Sequence, residues 1–153
     1  MIIDDVDKKL LSLLQKDARL STKELAAAVN MSISPCWRRI KRMEEAGLIK
    51  DYVAVLDRKQ LGLQAMAYVH VSLMDHTVAS MEAFNRLVQS DDEITECSAI
   101  TGDNDYVLKI VATDPEDLER YLMQRILGSG LVRSSNTNFV LRSTKSGAAL
   151  PLK

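Results

Sequence analysis

Apolar positions recur along this chain in two rhythms. In the first fifty residues the period is helical. Val6, Leu10, Leu13 and Leu14 fall at i, i+4, i+7 and i+8, the stripe of an amphipathic helix over residues 4–17. Ser21 and Glu24 stand at the S-x-x-E spacing of a capping box, which starts a second helix running to about Val29. Asn30-Met31-Ser32 turns the chain. Ser34 before Pro35 offers an N-cap and a proline at the first helical position, so a third helix is expected from near Pro35, with Gly47 as its C′ residue. Residues 48–57 then change to a two-residue alternation, which predicts a linker strand leaving this module.

The second rhythm is that of strands separated by helices. Ala65, Ala67, Val69, Val71 and Leu73 alternate with Met66, Tyr68, His70 and Ser72, giving one apolar and one mixed strand face. Residues 78–89 read as a helix burying Val78, Met81, Phe84, Leu87 and Val88. Two strands, 94–100 and 106–112, flank the turn-forming run Thr101-Gly102-Asp103-Asn104-Asp105. Asp114-Pro115 opens a helix whose inner side holds Leu118, Tyr121, Leu122, Arg125 and Ile126, and Gly128-Ser129-Gly130 stops it. Alternation returns over 131–142. The order β-α-β-β-α-β is that of a ferredoxin-like sheet with helices on one face. The expected fold is therefore α+β: a helix-turn-helix domain over 1–50, a linker strand over 51–62, and a ferredoxin-like domain over 63–153.

The third helix carries the clearest chemistry. With Cys36 at zero and about 100° per residue, Cys36, Ile40 and Met43 form a narrow docking stripe, and Ser34, Arg38, Lys41, Arg42 and Glu45 spread over the opposite face. No acidic residue interrupts the run from Ser32 to Met43, so the basic face is expected to be free. A helix of this kind fits the major groove, where its cations meet phosphates and an arginine can bind guanine bidentately. The expected DNA contacts are Ser32, Ser34, Trp37, Arg38, Arg39, Lys41 and Arg42, with Trp37 at the flank as a packing residue. Charge distribution agrees: residues 1–50 hold ten Lys/Arg against seven Asp/Glu, while residues 51–153 hold ten against fourteen.

Composition narrows the class. The chain has 153 residues, 46% of them hydrophobic and 27% charged, which suits a globular protein with two small cores. It lacks a run of about 18 apolar residues, and acidic residues stand near its start where a signal peptide needs basic ones, so a cytoplasmic address and no membrane partner are expected. Cys36 and Cys97 lie in different expected domains, which argues for two buried thiols and against a disulfide. His70 and His76 have neither a metal-ligand spacing nor a nucleophile partner, so no catalytic residue and no metal are expected.

Three segments, Asp7 to Asp17, Ser34 to Glu44 with Gly47-Leu48-Ile49, and Thr101 to Tyr106, together resemble the leucine-responsive/asparagine-responsive regulator family, Lrp/AsnC, over nearly the whole chain. The resemblance implies a prokaryotic transcription factor with an N-terminal winged helix-turn-helix and a C-terminal effector-sensing domain. It also implies homodimers that assemble further, often to octamers, wrap double-stranded DNA and respond to amino acids. By the same resemblance the turn around Gly102 lines an amino-acid pocket where dimers meet. A free amino acid presents an ammonium and a carboxylate on one carbon and so needs fixed acceptors and donors. Asp103 and Asp105 supply acceptors, Gly102 exposes backbone N–H groups, Thr101 and Ser98 add hydroxyls, and Tyr106 walls the pocket. Thr137, Asn138 and Phe139 of the last strand are expected near it, from a neighbouring dimer. The effector apart, no cofactor is expected.

Two other readings exist. Some haem-biosynthesis decarboxylases resemble the family in fold, but they would be expected to carry extra basic or histidine side chains in a sensing half that here is acidic and histidine-poor. A sensor without DNA binding would not keep Arg38, Arg39 and Arg42.

Overall fold

Helix α1, Asp5–Lys16, starts on a capping box of its own. The Asp4 carboxylate accepts the Asp7 N–H at 2.8 Å, and the Asp7 carboxylate accepts the Asp4 N–H at 3.2 Å. Helix α2, Thr22–Ala28, starts on the expected Ser21/Glu24 box. The computed structural model, which describes residues 2–147 and 149–152, closes α2 on Asn30 at φ 52°. Asparagine tolerates this left-handed conformation, and the N–H groups of Asn30 and Met31 return to the carbonyls of Ala27 and Ala26.

Helix α3 spans Ile33–Glu45 and so begins two residues before the expected start. Ser32, not Ser34, is the N-cap, and its side chain makes no capping bond. Pro35 then sits third in the helix, where an N–H would still lack an intrahelical partner, so the proline is tolerated without marking the first position. Gly47, at φ 69°, ends the helix as expected, with its own N–H bonded to Glu44 O and that of Leu48 to Met43 O. Leu10, Leu25, Cys36 and Met43 fill the core of this three-helix unit, joined by Leu11, which the stripe omitted.

Residues 51–57 form no strand, contrary to the alternation, and 58–62 are a turn. Val53 and Val55 are exposed, and among the described residues no strand pairs with their backbone. A lone extended segment cannot satisfy a ladder, so alternation by itself was insufficient. Tyr52 instead turns back on α3: its hydroxyl donates to Glu44 Oε1 at 3.0 Å, and burial pushes its pKa up to about 12.

The second unit is a four-stranded antiparallel sheet in the order β2-β3-β1-β4. Its elements are β1 Ala65–Leu73, α4 Val78–Gln89, β2 Ile94–Ala99, β3 Tyr106–Ala112, α5 Pro115–Tyr121 and β4 Val132–Phe139. Val69 opposite Leu108 and Ala67 opposite Ile110 put one face of the two central strands against Phe84, Leu118 and Ile126. Two expected inward residues point outward: Val78 is exposed at the first turn of α4, and Arg125 is exposed on the π turn Leu122–Ile126 that extends α5. The wider π turn rotates Arg125 off the inner face that α-helical spacing assigns to it. There its guanidinium reaches Asp91.

By contacts the chain divides into Met1–Val55 with Lys145–Lys153, and Leu56–Thr144. The tail thus groups with the helical unit, although the expected domain 63–153 placed it with the sheet. The Gln15 side chain accepts the Leu150 N–H at 2.6 Å and donates to its carbonyl at 3.2 Å.

Candidate functional site

Two regions gather the expected site residues, one in each unit. On α3 the apolar stripe is buried as expected, but the basic face is not free. Asp7, whose side chain is 1% exposed, receives Arg39 Nη1 at 2.8 Å and Arg42 Nη2 at 3.1 Å. The same Arg39 nitrogen also reaches Asp4 Oδ2 at 2.7 Å. Lys41 pairs with Glu44 at 2.7 Å. A carboxylate buried to this degree must be paired, so Arg39 and Arg42 are drawn toward α1. Among the described residues Arg38 forms no ion pair, and it lies beside Ser34 and Trp37 on the outward face.

Trp37 is 52% exposed, so it is not the packing residue the sequence reading expected. It forms the wall between two shallow grooves, one lined by Thr22, Ile33, Ser34 and Arg38, the other reaching Leu25, Ile40 and Tyr52. The unused Ser32 hydroxyl and the first-turn N–H groups of α3 complete a face with donors, a cation and an indole edge.

In the sheet unit, the loop 101–105 folds against the end of β1. The Asp105 N–H donates to Val71 O at 2.9 Å, and the Ile100 N–H donates to Asp105 O at 2.9 Å. The Asp105 carboxylate faces inward: Oδ2 accepts the Leu73 N–H at 2.8 Å, and Oδ1 lies 2.8 Å from His76 Nε2. The Leu73 N–H, then the His76 ring, hold this carboxyl below the usual carboxylate range. Asn104 Oδ1 receives the buried Ser72 hydroxyl at 3.3 Å. Gly102, at φ 123°, lets the tip turn where a side chain would be strained. Thr101, Gly102 and Asp103 are exposed at that tip.

The remaining expected residues separate by strand parity. Tyr106 packs on the helix-covered face at the edge of the core, its ring 4.8 Å from that of Phe84. Thr137 and Phe139, opposite Val69 and Ala67, share that face, while Ser98, opposite Val107, and Asn138, opposite Tyr68, lie on the other. Within one chain, the loop and residues 137–139 do not come together. Asn138 Nδ2 instead lies 3.3 Å from His70 Nδ1. Both cysteines are free thiols, and burial pushes both thiol pKa values up. Among the described residues no group of three or more His, Cys, Asp and Glu could hold a metal.

Sequence reasoning missed Asp4, Asp7 and His76. The D-x-x-D spacing of Asp4 and Asp7 was readable as a cap, but nothing local pairs Asp7 with residues 32 and 35 positions away. His76 likewise meets a carboxylate 29 positions on.

Comparison with known proteins decides the family. Residues 3–50 match the winged helix-turn-helix DNA-binding model, and residues 66–150 match the Lrp/AsnC ligand binding domain. The chain belongs to the Lrp/AsnC family. It is 34% identical over 149 residues to the transcriptional regulatory protein DoeX of Halomonas elongata, covering 97% of this chain and 94% of the relative. The leucine-responsive regulatory protein of Escherichia coli is 33% identical over 151 residues, with 99% and 92% covered. A transcriptional regulator of Neisseria meningitidis, solved in complex with L-Met, superposes with a TM-score of 0.95 at 33% identity, covering 98% of this chain and 97% of the other. This Lrp/AsnC member is a transcriptional regulator with a DNA-binding helix-turn-helix and a ligand-binding domain. Among the described residues no helix is long and apolar enough to cross a membrane.

Proposed function

We propose that α3 reads operator DNA in the major groove through Ser34, Trp37 and Arg38, with Ser32 and Lys41 toward the phosphates and Arg39 and Arg42 bracing α3 against α1. The observation that carries this reading is the uneven pairing of the four cations: Arg38 has no carboxylate partner among the described residues, whereas Arg39 is held by two. Arg38→Ala should weaken binding to a selected operator duplex by about 1–3 kcal/mol if it contacts a base, with specificity relaxed at one position. If it contacts a phosphate, the salt slope falls by about one. Gel shifts at several salt concentrations separate the two. Unchanged affinity would remove α3 from the reading.

The ligand-binding unit takes a free α-amino acid, by analogy with the Neisseria relative and its L-Met. The exposed tip Thr101-Gly102-Asp103 offers hydroxyl, N–H and carboxylate groups for the two charges of such a ligand, and Asp105 holds the tip. Ser98, Tyr106, Thr137, Asn138 and Phe139 complete the site only if a second copy contributes. A homodimer and its multiples fit the sheet face opposite the helices, where Tyr68 is exposed. Light scattering that reports a 17.1 kDa monomer at micromolar concentration would contradict this. The protein acts in the cytoplasm and catalyses no reaction. Its two histidines serve as hydrogen-bond partners of Asn138 and Asp105.

A further inference from the structure

We propose that Ile33 and Trp37 recognise the C5-methyl group of a thymine, next to a base or phosphate contacted by Arg38. The proposal deepens the DNA-reading assignment of α3 and rests on it. Ile33 and Trp37 are both 52% exposed and stand four residues apart on one helix, a small apolar patch beside a cation. The spacing stacks them in one row. Ser34 and Arg38, also four apart, form a parallel polar row about 100° further round. Thr22 of α2 closes the notch from the side.

The position of the notch limits its occupant. It lies in the first two turns of α3, the part of a recognition helix that meets base edges in the helix-turn-helix arrangement. Base edges in the major groove present hydrogen-bond donors and acceptors and a single apolar group, the thymine methyl. An apolar row on a groove-facing helix therefore has one complement there. Its neighbour Arg38, without a carboxylate partner among the described residues, is available for a guanine edge or a phosphate on the adjoining step.

The test removes the methyl group alone. Duplexes are selected from a random library on the full-length protein, and the enriched duplex is remade with deoxyuridine for one thymidine at a time. One replacement should weaken binding to the wild type about fourfold, the worth of one buried carbon. The same replacement should have no effect on Trp37→Ala, and Trp37→Phe should restore it in part. Ile33→Ala serves in the same cycle where Trp37→Ala loses helicity. In Arg38→Ala, overall affinity falls but the deoxyuridine penalty stays. Absence of a penalty at every thymidine, or a penalty that persists in both Trp37→Ala and Ile33→Ala, overturns the methyl assignment even when Arg38→Ala binds weakly. If Arg38→Ala binds as the wild type does, the DNA-reading assignment itself has failed.

Discussion

Arg39→Ala should lower the stability of the helical unit by about 3 kcal/mol, because it leaves the Asp7 carboxylate buried with half of its compensation. Arg42 remains near Asp7 at 3.1 Å, but its side chain is 54% exposed and well solvated, so Arg42→Ala should cost only about 1 kcal/mol. The double variant Asp7→Ala/Arg39→Ala should be less destabilised than Arg39→Ala, since it no longer buries an under-compensated charge. Trp37 is the single tryptophan in the chain and sits on α3, so its fluorescence in a urea titration reports this unit. Acid should act in the same direction. The Asp7 N–H, then Arg39, hold the Asp4 carboxyl below its ordinary 3.8. That contribution is present above 3.8 and is lost as pH falls through the lower folded value. An Arg39→Ala variant that unfolds at the wild-type urea concentration would show that the cluster is incidental.

Asp105→Ala should have the second large effect, on the sheet unit. It removes the acceptor of the Leu73 N–H, and Leu73 is 1% exposed, so the orphaned donor costs about 1–3 kcal/mol. For a unit of this size each kcal/mol lowers the melting temperature by roughly 4–8 °C. The loop tip loses its brace at the same time, and ligand binding goes with it. Asp103→Asn separates the two consequences. Asp103 is exposed at the tip, so its change should abolish stabilisation by the ligand and leave the unliganded melt unchanged. In thermal-shift assays the wild type at about 100 times Kd should gain roughly 2.7 kcal/mol. Ligand stabilisation that survives in both variants would move the site away from this loop.

What the sequence made legible was local. The capping box at Ser21, the C′ glycine at position 47, the Asp114-Pro115 helix start and the alternation of β1 each depend on residues within one or two turns, and each stands in the structure. The start of α3 was misplaced because Ser34-Pro35 imitates a cap, although proline is equally tolerated two positions further in. Residues 51–57 alternate like a strand but have no strand partner among the described residues, and pairing is not a property of one segment. The occupied basic face and the inward Asp105 were invisible for a related reason. Arg39 meets acids from the start of α1, and Asp105 meets Leu73 and His76 across the pairing of β1 with β3, with α4 and β2 between them in the chain, so their engagement exists only after folding.

Linkage between the two units is best tested by fluorescence anisotropy of a selected operator duplex titrated with the full-length protein, with and without saturating L-methionine and then the other amino acids. At least one amino acid should shift operator affinity by about 5–150-fold, a coupling of about 1–3 kcal/mol, and operator DNA should shift the affinity for that amino acid by the same factor. Operator affinity that is identical in the presence of every amino acid would contradict an amino-acid-responsive regulator.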